Sequence, residues 1–461
     1  MSIQSSAIIL AAGQGTRMKS TRAKVLFEVC GRPILHHVVH AALGAGVEDI
    51  VVVVGFDGDR VRASLAGFGE RVRCVTQDRQ LGTGHAVGCA LPAVADADRC
   101  LVLCGDTPLL ESADLAPLVG PLPDGVDLAL LTCNVPDPTG YGRILRGADG
   151  KVIGIREHRD CSEAERAIHE INPGMYVARM GFMKDAVARL APNNAQGELY
   201  FTDVVAEAAQ KGGALGFLAR DHATLAGIND RVQLADAEAF GYRRTADRLR
   251  RSGVTIRGDA RIDEGVVVEP DATLETGVVL RGKTRIGAGA HVDVGCVLTD
   301  VDVAENAQLL PYSVLRQSKV GAGAQIGPFS HVRPDSEIGE GAHIGNFVET
   351  KKTIVRKGAK ANHLAYLGDG DIGEGANIGA GTIFCNYDGF KKHKTTIEAG
   401  AFIGSDSQLV APVRVGVGAY VATGTTVTKD VPDDALAIAR VKQENKEGYA
   451  SKLRARMKAA K

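Results

Sequence analysis

The sequence predicts two unlike folds in one chain, an α/β domain followed by a parallel β-helix. Three observations predict this. Short aliphatic runs alternate with helical stretches up to about residue 229. A proline-free helical segment follows over 230–251. From there to about residue 430 an apolar residue recurs at every sixth position.

The first strand is Ala7-Ile8-Ile9-Leu10, which runs into a glycine-rich loop. Aliphatic runs at 50–54 and 101–104 read as two more strands, with helical patterns over 33–43 and 84–91 between them. Strands alternating with helices argue for a mostly parallel sheet. The runs at 128–131 and 174–177 extend it. The segment 230–251, rich in Ala, Leu, Arg, Asp and Glu, reads as one connecting helix, a semi-rigid strut between domains 1–229 and 252–461.

The hexad marks are Ile256, Ile262, Val268, Leu274, Leu280, Ile286, Val292 and Leu298. After a slip they resume as Val314, Val320, Ile326, Val332, Ile338 and Ile344. A third run holds Ile354, Tyr366, Ile372, Ile378 and Phe384, with Lys360 as a polar intruder. A fourth runs Ile397, Ile403, Leu409, Val415, Val421 and Val427. A period of six belongs to neither a helix nor an ordinary strand. It marks hexapeptide repeats, each one flat side of a triangular coil. A β-sandwich would instead alternate with period two. His363-Leu364-Ala365-Tyr366 sits where the marks break, which suggests an insertion loop.

The 461 residues carry a formal net charge of −1, so no overall field draws the chain to nucleic acid or to an acidic membrane. The nine cysteines include no Cys-x-x-Cys pair and read as reduced core thiols. No stretch has membrane-spanning length, and the opening lacks the pattern of a secretion signal, so a cytoplasmic protein is expected. The tail past Pro432 is basic but poor in aromatics for base stacking. It reads as a solvated helix or a clamp for a phosphorylated ligand.

The loop Leu10-Ala11-Ala12-Gly13-Gln14-Gly15-Thr16-Arg17-Met18 follows a strand and precedes Lys24. Glycines let backbone N–H groups approach phosphates, and Arg17 and Lys24 add positive charge. No Gly-Lys-Ser/Thr follows, and Met18 stands where a dinucleotide fingerprint needs its third glycine. Asp106 lies just past a strand's carboxyl end, where open α/β sheets place ligands. Asp106 and Asn229 offer hard oxygens suited to Mg²⁺. Glu198 and Asp203 are further carboxylates, but Thr202 or Asp203 reads better as a helix cap.

On these residues the first half resembles the sugar-1-phosphate nucleotidylyltransferases, although Ala23 replaces the proline usual before the lysine, a change expected to relax the loop slightly. The resemblance implies a Rossmann-like nucleotidyltransferase domain. It implies that Leu10, Ala11, Ala12, Gly13 and Lys24 hold UTP, and that Gln77, Gly82 and Thr83 read uracil. It places Gly142, Glu157, Asn172 and Asn229 at the sugar, with Asp106 and Asn229 at Mg²⁺.

In the second half, Arg333, Lys351, His363, Tyr366, Asn377, Asn386, Ser405, Thr423 and Arg440 stand in an order that, with the first half, resembles a family of bifunctional enzymes. These are the N-acetylglucosamine-1-phosphate uridylyltransferase/glucosamine-1-phosphate acetyltransferases. The resemblance implies a left-handed coil, a homotrimer, and acetyl transfer from acetyl-CoA to glucosamine-1-phosphate. UTP then couples to N-acetylglucosamine-1-phosphate, giving UDP-N-acetylglucosamine for peptidoglycan and lipopolysaccharide precursors. His363 would be the general base, Arg333 and Lys351 the phosphate holders, and Tyr366 and Asn377 the sugar contacts. Asn386 would position His363, and Ser405 would stabilise the oxyanion. Ala380, Asn386, Tyr387, Ser405, Thr423 and Arg440 would line the acetyl-CoA site, with Thr423 replacing the family's frequent alanine. Two rival readings are a single-activity pyrophosphorylase with a structural β-helix and a non-catalytic assembly protein. The first would lack His363, Asn386 and Ser405, and the second would erode Gly13, Gly15, Arg17, Lys24 and Asp106.

Overall fold

The structure, a computed structural model, describes residues 4–95 and 97–460. The chain divides into two compact units, Met1–Arg243 and Arg244–Lys461.

In the first unit, strands Val72–Thr76, Asp49–Val54, Ser5–Ala11 and Arg99–Cys104 lie side by side and parallel. Successive residues face opposite layers, as the two-residue period of a strand requires. Ile9 packs under helices Ile34–Gly44 and Ser112–Val119, while Ile8 packs with Thr83–Ala90 and Met180–Ala188 on the other face. Burial on both faces explains why these strands read as unbroken aliphatic runs. Beyond Arg99–Cys104 the sheet is mixed rather than parallel. Tyr176–Arg179 runs antiparallel to it, and Glu170–Asn172 antiparallel to Leu128–Asn134. Tyr176–Arg179 also pairs antiparallel with Leu128–Asn134, so it continues in the direction of Glu170–Asn172 after a break of three residues.

The expected connecting segment is one helix, Arg231–Arg251. Ala237 packs with Val29 and Leu109 of the first unit, whereas Ala246 and Leu249 join the core of the second.

The second unit is a parallel β-helix whose three sides form sheets of eleven, ten and nine short strands. Corresponding strands pair one coil apart, for example Leu280 with Leu298 and Leu298 with Leu315. The core is a column of aliphatic side chains from Ile256 to Val431. Its register corrects the sequence marks at four places. The inward residues are Leu315, Val355, Ala361 and Leu367, all buried, whereas Val314, Ile354, Lys360 and Tyr366 face outward. The polar intruder therefore disappears. Each five-residue step, such as Leu298 to Val303 or Leu367 to Ile372, falls on the same side of the coil, between the second and third sheets.

The insertion is likewise elsewhere. Ala361 to Leu367 is an ordinary hexad, with His363 ending strand Lys360–His363. The long loop instead joins Ile383–Cys385 to Thr395–Ile397 and contains Asn386 and Tyr387. Asp388 organises it, accepting hydrogen bonds from the backbone N–H groups of Phe390 (2.8 Å) and Lys391 (2.6 Å) and facing His393. These contacts hold its carboxyl down at about 2. The tail ends in an exposed helix, Tyr449–Ala459.

Candidate active sites

In the first unit the strand Ser5–Ala11 ends in the glycine loop, which tightens into one 3₁₀ turn, Thr16–Met18. Gly15 has φ 61°, and a Cβ there would stand 2.8 Å from the Cβ of Lys24. Glycine at 15 thus lets Lys24 close against the loop. Ala23 keeps a tie that a proline would lose. Its φ of −56° would suit a proline, but its N–H donates to Asp57 Oδ2 at 3.1 Å, a bond proline lacks. Gln80 Nε2 ties down the Ala12 carbonyl at 2.8 Å.

Lys24 Nζ donates to Asp106 Oδ2 at 2.5 Å and to Asn229 Oδ1 at 3.3 Å. Residues far apart in sequence thus form one cation–carboxylate–amide cluster. Asp106 and Asn229 line a cavity of about 220 Å³ with Leu10, Thr83, Gly142, Glu157 and Asn172. Thr202 Oγ1 donates to Glu157 Oε1 at 3.3 Å. Burial, opposed by that bond, pushes the Glu157 carboxyl up. Asn172 is oriented at both ends, donating to Tyr176 Oη at 2.6 Å and accepting from Gly174 N at 3.0 Å. Burial pushes the neighbouring Cys104 thiol up to about 12.

Thr202 precedes helix Asp203–Gln210, but its hydroxyl serves Glu157 and makes no cap bond. Arg17 stays exposed on the loop. Gln77 is buried beside Gly82. Gly82 has φ 107°, and a Cβ there would meet the Leu199 backbone oxygen at 2.5 Å. Among the described residues no group of three or more His, Cys, Asp or Glu could hold a metal ion. The oxygens of Asp106 and Asn229, open to a cavity, fit a Mg²⁺ that takes its remaining ligands from water and phosphate.

In the second unit one corner carries Asn346, His363, Ala380, Ser405 and Thr423 on successive coils. Backbone bonds link them, from Leu364 N to Asn346 O, Asp406 N to Ala380 O and Gly424 N to Ser405 O. The column ends where an Arg440 guanidinium N–H donates to the Thr423 carbonyl. At about 4.8 Å per coil, His363 to Thr423 spans roughly 14 Å. Its side chains are mostly exposed.

His363 Nδ1 lies 2.8 Å from Asn346 Oδ1. The expected partner, Asn386, instead donates to Asp369 Oδ2 at 2.6 Å. Over Gly368, where a Cβ would lie 2.5 Å from Tyr366 Oη and 2.6 Å from Asn386 Nδ2, those two groups converge. Arg333 bonds Glu349 Oε1 at 2.6 Å. Lys351 faces Lys392 and then Arg333, and both push its ammonium below the ordinary lysine range. Three cations thus gather, and among the described residues no carboxylate pairs with Lys351. Asn377 pairs in register with Phe402 on the first sheet. Tyr387 turns back, donating to the Gly389 carbonyl at 2.6 Å.

Asn346, Asp369 and Lys392 were not singled out from the sequence, and Thr202 was read only as a helix cap. Lys392 follows Lys391 in a visibly basic stretch, a weak signal. The others carry none, because each acts through a partner at least seventeen residues away.

A glycine-loop lysine facing an aspartate past the carboxyl end of a central strand, joined to a hexapeptide prism with an outward histidine, defines a nucleotidyltransferase fused to an acyltransferase. Residues 7–163 match the MobA-like NTP transferase domain, and residues 318–352 match the bacterial transferase hexapeptide repeats. The chain is 66% identical to a bifunctional protein GlmU of Sorangium cellulosum, over 98% of both chains. It is 48% identical to that of Brevibacillus brevis over 97% of both, and 45% identical to that of Pelobacter propionicus over 97% of this chain and 98% of the other. The chain belongs to the bifunctional GlmU family. It is a two-activity enzyme of UDP-N-acetylglucosamine synthesis, with uridylyltransferase and acetyltransferase halves.

Proposed function

We propose that each unit carries reacting groups for one of the two steps, as follows. In the first, UTP phosphates lie over the Gly13 loop, where a Cβ would meet no protein atom within 4 Å. A phosphate oxygen of N-acetylglucosamine-1-phosphate attacks the α-phosphorus of UTP in line, and pyrophosphate leaves. Lys24 and Arg17 neutralise charge on the phosphates, while Glu157 and Asn172 orient the sugar. Asp106 and Asn229 would hold Mg²⁺, which when bound neutralises phosphate charge. Gln77, Gly82 and Thr83 receive the uracil.

In the second unit, Arg333, Lys351 and Lys392 take the phosphate of glucosamine-1-phosphate. The depressed Lys351 ammonium supports this, since an arriving anion relieves the repulsion. With Asn346 Oδ1 accepting from Nδ1–H, His363 keeps Nε2 unprotonated. Nε2 removes a proton from the sugar amine as its nitrogen attacks the acetyl carbonyl. The carbon–sulfur bond then breaks and the thiolate of coenzyme A leaves. Tyr366, Asn377 and Asn386 set the sugar, and Ser405 faces the developing oxyanion. Acetyl-CoA extends along the corner past Ala380, Tyr387 and Thr423 to Arg440.

This corner is convex and open, so the acetyl site is completed by other copies in a homotrimer. Tyr312, Phe329 and Phe347 stack beside it at 5.4 and 5.6 Å while half-exposed, an apolar ladder suited to burial in an interface. No helix among the described residues is long and apolar enough to cross a membrane, and we place the enzyme in the cytoplasm, where its nucleotide and thioester substrates are made.

The observation that carries the reading is the gathering of phosphate-neutralising cations at two separate places, Lys24 in one unit and Lys351 with Lys392 in the other. The test is to supply glucosamine-1-phosphate, acetyl-CoA, UTP and Mg²⁺ and follow thiol, pyrophosphate and UDP-N-acetylglucosamine. Release of one co-product alone refutes the two-site reading.

A further inference from the structure

We infer that His85 sets nucleobase choice by locking the side-chain amide of Gln77 in one orientation. This rests on the reading of Gln77 as a uracil contact. Gln77 is buried, only 5% exposed. Its Nε2 lies 3.1 Å from the Gly82 carbonyl oxygen and 3.0 Å from His85 Nδ1. A carbonyl only accepts, so the group facing it is the NH₂ and not the oxygen. One amide hydrogen goes to Gly82 and the second to His85. His85 Nδ1 must therefore be the unprotonated nitrogen, and its proton sits on Nε2. The sulfur of Cys89, one helical turn further along the same helix, lies 3.8 Å from Nε2 and 4.0 Å from Nδ1.

Both amide hydrogens are thus consumed within the protein, and Gln77 Oε1 has no partner among the described residues. A fixed acceptor distinguishes pyrimidines at N3. A 2,4-diketopyrimidine carries N3–H there and donates to it. A 4-aminopyrimidine presents an N3 lone pair and is repelled. Without His85 the amide loses one of its two anchors, and a rotated amide presents NH₂, which suits the wrong base. His85 touches no substrate in this scheme and is a positioning residue. A site built around a fixed polar partner rejects mismatched analogues strongly, because the mismatch leaves buried groups unpaired.

The experiment compares UTP with CTP in the full-length enzyme, for His85→Phe, His85→Gln and Gln77→Leu. Acetyl transfer from acetyl-CoA is measured on each preparation as the control for folding. His85→Phe should raise KM for UTP about tenfold with kcat nearly unchanged, and should cut the UTP-over-CTP ratio of kcat/KM by about as much. His85→Gln, whose own carbonyl can accept from Gln77, should recover most of that preference. If Gln77→Leu collapses the preference while His85→Phe leaves it intact, the positioning role is wrong although Gln77 reads the base. If His85→Gln falls as far as His85→Phe, the role is also wrong. If Gln77→Leu itself changes nothing, the uracil reading fails first.

Discussion

The two halves solve one problem, holding a sugar phosphate beside a large activated donor, with opposite surfaces. In the α/β unit the parallel strands end at a crevice, where Asp106 and Asn229 line a cavity and Lys24 bonds both of them. In the β-helix the side chains point outward from a convex prism, and His363 and Ser405 stay exposed. The prism's grooves run past residues such as Lys283, Lys319 and Ile354, away from His363 and Ser405, and in our proposal the acetyl site gains its pocket when another copy covers the exposed corner. Catalytic completeness is thus a property of one fold and, in our proposal, of the assembly for the other.

The sharpest test of this contrast is the pair His363→Ala and Asp106→Ala. The first should lower acetyl transfer by about 10³-fold and leave uridylyl transfer within about twofold. The second should lower uridylyl transfer by about 10²–10³-fold and leave acetyl transfer alone. Loss of both activities in either folded variant breaks the independence of the sites.

A smaller effect separates the walls. Phe329→Glu places a charge in the exposed ring ladder. We expect it to make specific acetyl-transfer activity fall by about tenfold on dilution while uridylyl transfer per chain stays constant. Sedimentation on the same samples should show dissociation, and equal dilution behaviour of the two activities would remove the distinction.

A third measurement weighs the cations. Lys392→Met should raise KM for glucosamine-1-phosphate about tenfold with no loss of thermal stability, because it relieves repulsion on Lys351 in the free enzyme. A lower melting temperature would show that Lys392 supports the fold instead.

The smallest effect concerns Glu157. Burial raises its folded pKa, so the ionised form is favoured in the unfolded chain. Its presence therefore costs stability as pH rises above the ordinary glutamate value, and costs nothing in acid. Glu157→Gln should raise the melting temperature at pH 8 by roughly 1–3 °C, leave it unchanged near pH 4, and weaken sugar-phosphate binding. A stability gain that is independent of pH would discount the titration. A poorly solvated carboxylate that lines a cavity is the expected signature of a functional group.

Much of this was legible in the sequence for reasons that can be stated. Period six survives because each inward side chain must stack on those of the coils above and below, so aliphatic residues recur through the whole prism. The phase was less legible. Val314-Leu315 and Ile354-Val355 each offer two neighbouring aliphatics, and only stacking decides which one faces in. One wrong choice at Ile354 carried the marks onto Lys360 and Tyr366 and turned a regular hexad into an apparent break at His363. The positions of Lys24 and Asp106 could be read from their place after strands, but their 2.5 Å contact could not.

By itself the sequence determined the architecture of both halves, the family, and the residue types available for phosphate, amine and metal chemistry. These follow from local periodicity and short motifs, which depend on neighbours along the chain. The tertiary structure alone decided which partner each functional group meets: Asn346 rather than Asn386 beside His363, Lys392 beside Lys351, Thr202 on Glu157, and His85 on Gln77. A hydrogen bond is a matter of a few tenths of an ångström between atoms brought together by packing, and the spacing of residues along the chain carries no such information.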